Sequence, residues 1–189
     1  MLETERPPRI APLDPPYSPQ IDSALRKWMP PGSQAEPLKL FRTLNIHEQL
    51  ASRMRPLGAG ILGHGLVEPR DREIVILRTC ARVGAEYEWG VHVVAFGGPL
   101  GLSDEQIVAS VEGDSSAPAW AEPDRVLVAL ADELHDTATV SDALWASLAA
   151  RFTEEQLIEL IVIGGWYRLI GCLINAMGVQ REPWAARFP

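Results

Sequence analysis

From Leu38 onward apolar residues recur at helical spacing almost throughout, and no alternating run is long enough for a strand. Asn45, with Glu48 three residues later, reads as a capping box ahead of Leu50, Met54 and Leu57. Pro69 sits at a first-turn position and opens a helix to about Val83, which Gly84 ends. A second helix runs from about Ala85 to Phe96 and stops at Gly97-Gly98-Pro99. Ser103 caps a third, with Glu105 and Gln106 in its first turn. A polar, proline-containing connection fills 112–123. Three helices follow: about Asp124 to Asp136, one capped by Ser141, and one capped by Thr153 that reaches about Met177. The last is apolar nearly all round, which suits a core or an oligomer interface. The predicted fold is all-α.

The first 37 residues differ in kind. They hold Pro7, Pro8, Pro12, Pro15, Pro16, Pro19, Pro30, Pro31 and Pro37, so residues 1–37 read as a largely extended arm ahead of a helical domain at 38–189. Ser18-Pro19 can cap a short helix inside the arm, with Ile21, Leu25 and Trp28 on one face. Such a segment is either a loose tail or an arm packed on its own or a neighbouring subunit. An internal echo also exists. Asp71-Arg72-Glu73-Ile74 resembles Asp124-Arg125-Val126-Leu127, and Ser103-Asp104-Glu105-Gln106 resembles Thr153-Glu154-Glu155-Gln156. Duplication and shared helix-start chemistry both account for it.

Composition narrows the partners. The 189 residues carry a net charge of -8, and the arginines are scattered, which argues against nucleic acid. No apolar run is read as long enough to span a bilayer, and the MLETERPPR start lacks the layout of a leader, so a cytoplasmic protein without membrane contact is expected. Cys80 and Cys172 have no short-range partner, which fits neither a disulfide framework nor a thiolate zinc site.

The candidate chemistry lies between Glu73 and Ile107. Glu73 shares an apolar helix face with Leu77 and Cys80, where a carboxylate is either a tuned acid or a charge neutralised by an arginine such as Arg78 or Arg82. Glu88 and His92 are one helical turn apart, with Tyr87 and Trp89 beside them, so a carboxylate can orient and activate the imidazole. His135, after Asp132 and Glu133, is either a helix-end cation or a pocket residue. Tyr167 and Trp166 are either packing or ligand contacts; His47 and His64 read as structural. The spacing of Glu73, Glu88, His92 and His135 matches no established zinc pattern, and no metal is expected.

Glu73, then Tyr87-Glu88-Trp89-x-x-His92, then Gly101-Leu102-Ser103-x-Glu105-x-Ile107, resembles the carboxymuconolactone decarboxylase and alkylhydroperoxidase-like family over roughly residues 40–110. A looser likeness continues through His135, Trp145, Tyr167 and Asn175. The resemblance implies a helical alkylhydroperoxidase-like fold assembled as a dimer, trimer or hexamer. It also sorts the chain between two chemistries. The peroxidase branch carries a C-x-x-C pair, and aligning on Glu73 and His92 puts Ala85 and Glu88 at those positions, so the redox thiols are absent. The decarboxylase branch keeps a Glu and a His four residues apart, as Glu88 and His92 are. What it implies is an acid–base lyase that needs no cofactor, acting on a small conjugated acid or lactone. Glu73, Glu88 and His92 would be catalytic, and Tyr87, Trp89, His135 and Tyr167 would bind substrate. A di-anionic lactone would also call for an arginine, with Arg78 and Arg168 as candidates by position. The alternatives are isomerisation, dehydration or lactone opening at the same site, or an oligomeric scaffold or small-molecule binding protein that has lost the cysteines.

Overall fold

The computed structural model describes residues 7–189; the first six positions of the predicted arm, with most of the start read for leader composition, lie outside the described residues. The helices are α1 (Pro19–Arg26), α2 (Lys39–Leu44), α3 (Glu48–Gly63), α4 (Pro69–Arg82), α5 (Glu86–His92), α6 (Asp104–Glu112), α7 (Glu122–Thr137), α8 (Asp142–Ala149) and α9 (Glu154–Met177). Among the described residues there is no strand.

The hub is α4, packed against α5, α6, α7 and α9. From Asp71 to Cys80 every residue on it is buried, polar ones included. α7 runs beside it in parallel, in a register set by ion pairs of constant offset: Arg70 to Asp124 at 2.7 Å, Arg78 to Asp132 at 2.6 Å, and Arg82 to Asp136. α5 returns antiparallel to α4 through a tight turn at Gly84, whose φ of +66° is a backbone conformation that side chains disfavour. Between α5 and α6 the chain forms one π-helical turn, Val93–Gly97, where a plain continuation of the helix to Phe96 was expected. Its glycine-rich exit explains the change, because Gly97 and Gly98 weaken the regular ladder there.

The predicted caps at Ser103 and Thr153 both form, each extended to a full capping box by Gln106 and Gln156. The two glutamines also make reciprocal contacts. Gln106 donates to the Ala119 carbonyl three residues ahead of α7, and Gln156 donates to the Leu66 carbonyl three residues ahead of α4. That exchange places the two echoing segments in a pseudo-twofold relation and favours duplication.

Two expectations need correction, and one open alternative is resolved. Asn45 does not cap α3; its side chain turns back to the Phe41 carbonyl at 2.8 Å, and His47 Nδ1 receives the Leu50 N–H instead. The segment before α2 is anchored on the chain's own domain rather than loose: Leu25 is buried, Trp28 stacks on Phe41 at 4.8 Å, and the Arg9 N–H donates to the Met177 carbonyl. Finally, α9 holds an 18-residue window that is long and apolar enough, by length and composition, to cross a bilayer. Half of that window is buried against the rest of the chain, as in a core helix, and the other half is not.

The Arg78 guanidinium holds Asp132 and also the Ser110 and Gly113 carbonyls, with 4% of its side chain exposed. Replacing it with Met leaves two carbonyls without their donor and leaves the part-buried Asp132 with only Arg82, at 3.5 Å. Arg78→Met is therefore expected to lower unfolding free energy by about 3–5 kcal/mol, read from urea denaturation.

Candidate active site

The Gly84 turn decides what Glu73 meets. Local spacing pairs His92 with Glu88, yet the hairpin of α4 and α5 brings Glu73 opposite His92. His92 Nδ1 lies 2.9 Å from Glu73 Oε1, and Nε2 lies 3.7 Å from Glu88 Oε1. A carboxylate acceptor on Nδ1 makes that nitrogen the donor and leaves Nε2 turned toward Glu88. Neither Arg78 nor Arg82 neutralises Glu73; both are engaged by α7. Tyr167 of α9 meets the imidazole edge-on at 5.0 Å, and Phe96 covers it from the π-helical turn, also at 5.0 Å.

Burial is graded across the cluster. Glu73 is sealed, His92 keeps 4% of its side chain exposed, and Glu88 keeps 11%. The contact with the outside therefore lies on the Glu88 side. Second oxygens of both glutamates, Glu73 Oε2 and Glu88 Oε2, are buried without a hydrogen-bond partner. Such atoms are costly unless the carboxyl holds a proton or a charge close by compensates.

The titration behaviour follows from this packing. Burial lifts the Glu88 carboxyl, the His92 charge opposes the lift, and the Glu73 charge adds to it, so Glu88 holds its proton above the usual carboxylate range. For His92 burial acts downward, but the charge and hydrogen bond of Glu73, with the charge of Glu88, outweigh it and the imidazole is raised. Cys80 lies in the same field. Burial and then the Glu88 and Glu73 charges push its thiol well up, which leaves it a poor nucleophile. Cys172 lies on the exposed side of α9.

Not every expected residue joins the cluster. Tyr87 is turned away from His92. Its hydroxyl donates to Glu182 at 2.7 Å and accepts from the Leu40 N–H at 3.1 Å, because one residue along a helix from Glu88 turns the side chain to another face. Glu182 in turn caps α2 through the Lys39 N–H, which makes Tyr87 part of a knot between α2, α5 and the C-terminal tail. Trp89 is likewise turned away, bonded to Ser110 and packed edge-on against Phe188. His135 lies at the last turn of α7 among Arg82, Arg168, Asp136 and Asp132, where burial and then the two arginines lower it. The anion-binding candidates are also spoken for. Arg78 holds Asp132, and Arg168 donates to the Leu134 and His135 carbonyls. Arg72 donates through Nη1 to the Ile61 and Leu62 carbonyls, and its charge also acts on His92. A cavity of about 360 Å³ at the start of α5 is lined by Tyr87, Glu86 and Arg181, and by none of Glu73, Glu88 and His92.

No protein-family model matches the sequence, and no curated protein does. Solved structures do. An uncharacterized peroxidase-related protein from Silicibacter sp. TM1040 superposes over 100% of both chains with a TM-score of 0.76 at 13% identity. The debrominase Bmp8, as a variant in complex with 2,3,4-tribromopyrrole, matches over 93% of this chain and 92% of its own with a TM-score of 0.72 at 17% identity. A protein of unknown function from Agrobacterium tumefaciens, described as an AhpD antioxidant defence protein, covers 71% of this chain and 92% of its own, with a TM-score of 0.65 at 20% identity. The chain thus has the helical AhpD-like fold.

The raised His92 carries a sign that can be measured. A group whose folded pKa lies above its ordinary value of 6.5 adds stability that is complete below 6.5 and is lost as pH rises through the folded value. Glu88, also raised, acts in the same sense. Unfolding free energy is expected to fall as pH rises from 6.5 through the folded titration of His92. Glu73→Gln should flatten that slope and bring the imidazole titration down, both read by urea denaturation and NMR.

Proposed function

We propose that this chain is an acid–base enzyme of the lyase type, and that Glu73, His92 and Glu88 form its proton-transfer line. One observation carries the reading: a buried imidazole held between two carboxyl groups, at 2.9 Å on Nδ1 and 3.7 Å on Nε2, with burial pushing the outer carboxyl up. Glu73 fixes the tautomer and offsets the imidazolium charge. Glu88, on the side that reaches solvent, is the group that meets substrate. In a decarboxylase-like reaction the bond to the carboxyl carbon breaks and its electron pair enters the conjugated carbonyl. Carbon dioxide departs, Glu88 delivers its proton to the carbanion, His92 returns a proton to Glu88, and a solvent proton entering on the Glu88 side restores the imidazolium. The same line supports isomerisation, dehydration or lactone opening, since each needs one proton removed and one delivered.

The surroundings also limit the substrate. Arg78 and Arg168, the candidates to receive a di-anion, are bonded elsewhere, and two carboxyl groups already occupy the site. A small conjugated lactone or carbonyl compound with at most one negative charge fits this field. The tribromopyrrole bound by the debrominase of like fold is a comparably small conjugated ring. A thiol peroxidase reading is disfavoured by Ala85 and Glu88 at the positions that the cysteines would take and by the sealed Cys80.

One observation favours a second reading, that of an oligomeric scaffold or small-molecule binder: the cluster is nearly closed, and His92 keeps only 4% exposure. Replacing His92 with Asn separates the two. It keeps size and some hydrogen bonding but removes the titratable base. Across a panel of small conjugated lactones and acids, followed by NMR for turnover and deuterium uptake, the enzyme reading expects a loss of about 100- to 10,000-fold. A panel on which the wild-type protein shows no turnover and no exchange, with His92→Asn altering only stability, would leave the scaffold reading standing.

A further inference from the structure

Arg72 is a buried cation without an anion. It precedes Glu73 on α4 and is 6% exposed. Withdrawing a guanidinium from water is costly unless charges and acceptors inside the protein answer it. Here only Nη1 is answered, by the Ile61 and Leu62 carbonyls, each at 3.2 Å. Nε is buried with no hydrogen-bond partner. Among the described residues no carboxylate forms an ion pair with Arg72.

Arg78, further along the same helix, shows what is missing. It also gives Nη1 to two carbonyls, and it offers the edge formed by Nε and Nη2 to Asp132, at 2.6 and 3.1 Å. Arg72 repeats the first half of that arrangement and lacks the second. The open edge is the planar fork with which arginine binds negative oxygen most strongly. It also belongs to the field of the candidate site, since the Arg72 charge acts on both His92 and Tyr167. Neither glutamate of the cluster fills it. Glu73 is bonded to His92, and burial pushes Glu88 toward its protonated form.

The lyase-type reaction generates the charge that this edge lacks. When the bond to the carboxyl carbon breaks and carbon dioxide leaves, the electron pair enters the conjugated carbonyl, whose oxygen becomes an enolate. We propose that the Nε–Nη2 edge of Arg72 is the oxyanion subsite, which receives this oxygen as its charge develops; the assignment rests on the lyase-type reading. Arg72 donates two hydrogen bonds and keeps its proton, because guanidinium does not release it. Once Glu88 protonates the carbon, the oxygen is again a neutral carbonyl and the hold weakens. A substrate carboxylate is the poorer occupant. In a decarboxylation it would be the leaving group, and gripping it would stabilise the ground state rather than the transition state.

The test compares two small lactones on the full chain by NMR titration. Tetronate, the enolate of 4-hydroxy-2(5H)-furanone, carries the charge of the intermediate, whereas 2(5H)-furanone is its neutral counterpart. The wild-type protein should bind tetronate more tightly, and the Arg72 Nε–H resonance, assigned through its own side-chain carbons, should move with tetronate and not with the furanone. Arg72→Lys keeps the charge and a donor for the α3 carbonyls but removes the planar edge. It should lower tetronate affinity by about 10- to 100-fold, the loss of a charge-assisted hydrogen bond, and leave furanone binding within about twofold. Equal affinity for the two lactones, an Nε–H resonance indifferent to tetronate, or a preference that a folded Arg72→Lys retains would each overturn the proposal. So would a resonance that moves with 2-furoate but not with tetronate, which would assign the edge to a carboxylate. Binding is read without turnover, so a protein that prefers tetronate through Arg72 yet converts no lactone supports the subsite while the lyase reading fails.

Discussion

Enclosure of α4 is the constraint from which the other interactions follow. A helix surrounded by four others has no solvent to receive its charged side chains, yet α4 carries Asp71, Arg72, Glu73 and Arg78 in its buried stretch. Each must find a partner inside the protein or bear a desolvation cost of several kcal/mol. Arg78 takes Asp132 from α7, Asp71 takes Arg151 from beyond α8, and Arg72 takes the carbonyls that end α3. Three of the four thereby serve the architecture, aligning α7 and fastening the helix ends. Glu73 is the exception, because its partner is an imidazole whose second nitrogen is left over.

That leftover nitrogen is where stability and chemistry meet. A glutamate paired with an arginine would be a fixed charge, since guanidinium does not release its proton. Paired with His92 it becomes one member of a chain that can hold or pass a proton, and Glu88 extends the chain toward solvent. A cysteine pair at the positions of Ala85 and Glu88 would direct the same scaffold toward thiol exchange. With a carboxyl at Glu88, the chemistry proposed for the site is proton transfer instead.

The repeated capping boxes show the fold's economy. Gln106 and Gln156 each close their own helix start and reach across to the segment leading into the other half's first helix. Two short signatures therefore hold both halves together reciprocally. The halves are no longer equivalent, however. α6 is short, whereas α9 has grown into a long helix with one side on α4 and the other facing outward, so only one half presents an apolar exterior.

Much was legible from local chemistry. Periodicity, the Ser103, Ser141 and Thr153 caps, Pro69 and Gly84 were enough to locate most helices, because these signals act within a turn or two of chain. Glu73, Glu88 and His92 were also found as candidates, since buried-side acidic residues and a histidine stand out on apolar faces. The direct partner of His92 was not readable: Glu88 is its neighbour by helical spacing, while Glu73 is nineteen residues away and is brought in only by the hairpin. Tyr87 and Trp89 show the complementary limit, because a side chain next to a site residue in sequence points to another helix face. The engagement of Arg78 and Arg168, and the exposure of half of α9, depend on which helices surround which. An amino-acid pattern reports that a face is apolar or a group charged. Only the packing of distant segments decides what covers the one and what answers the other.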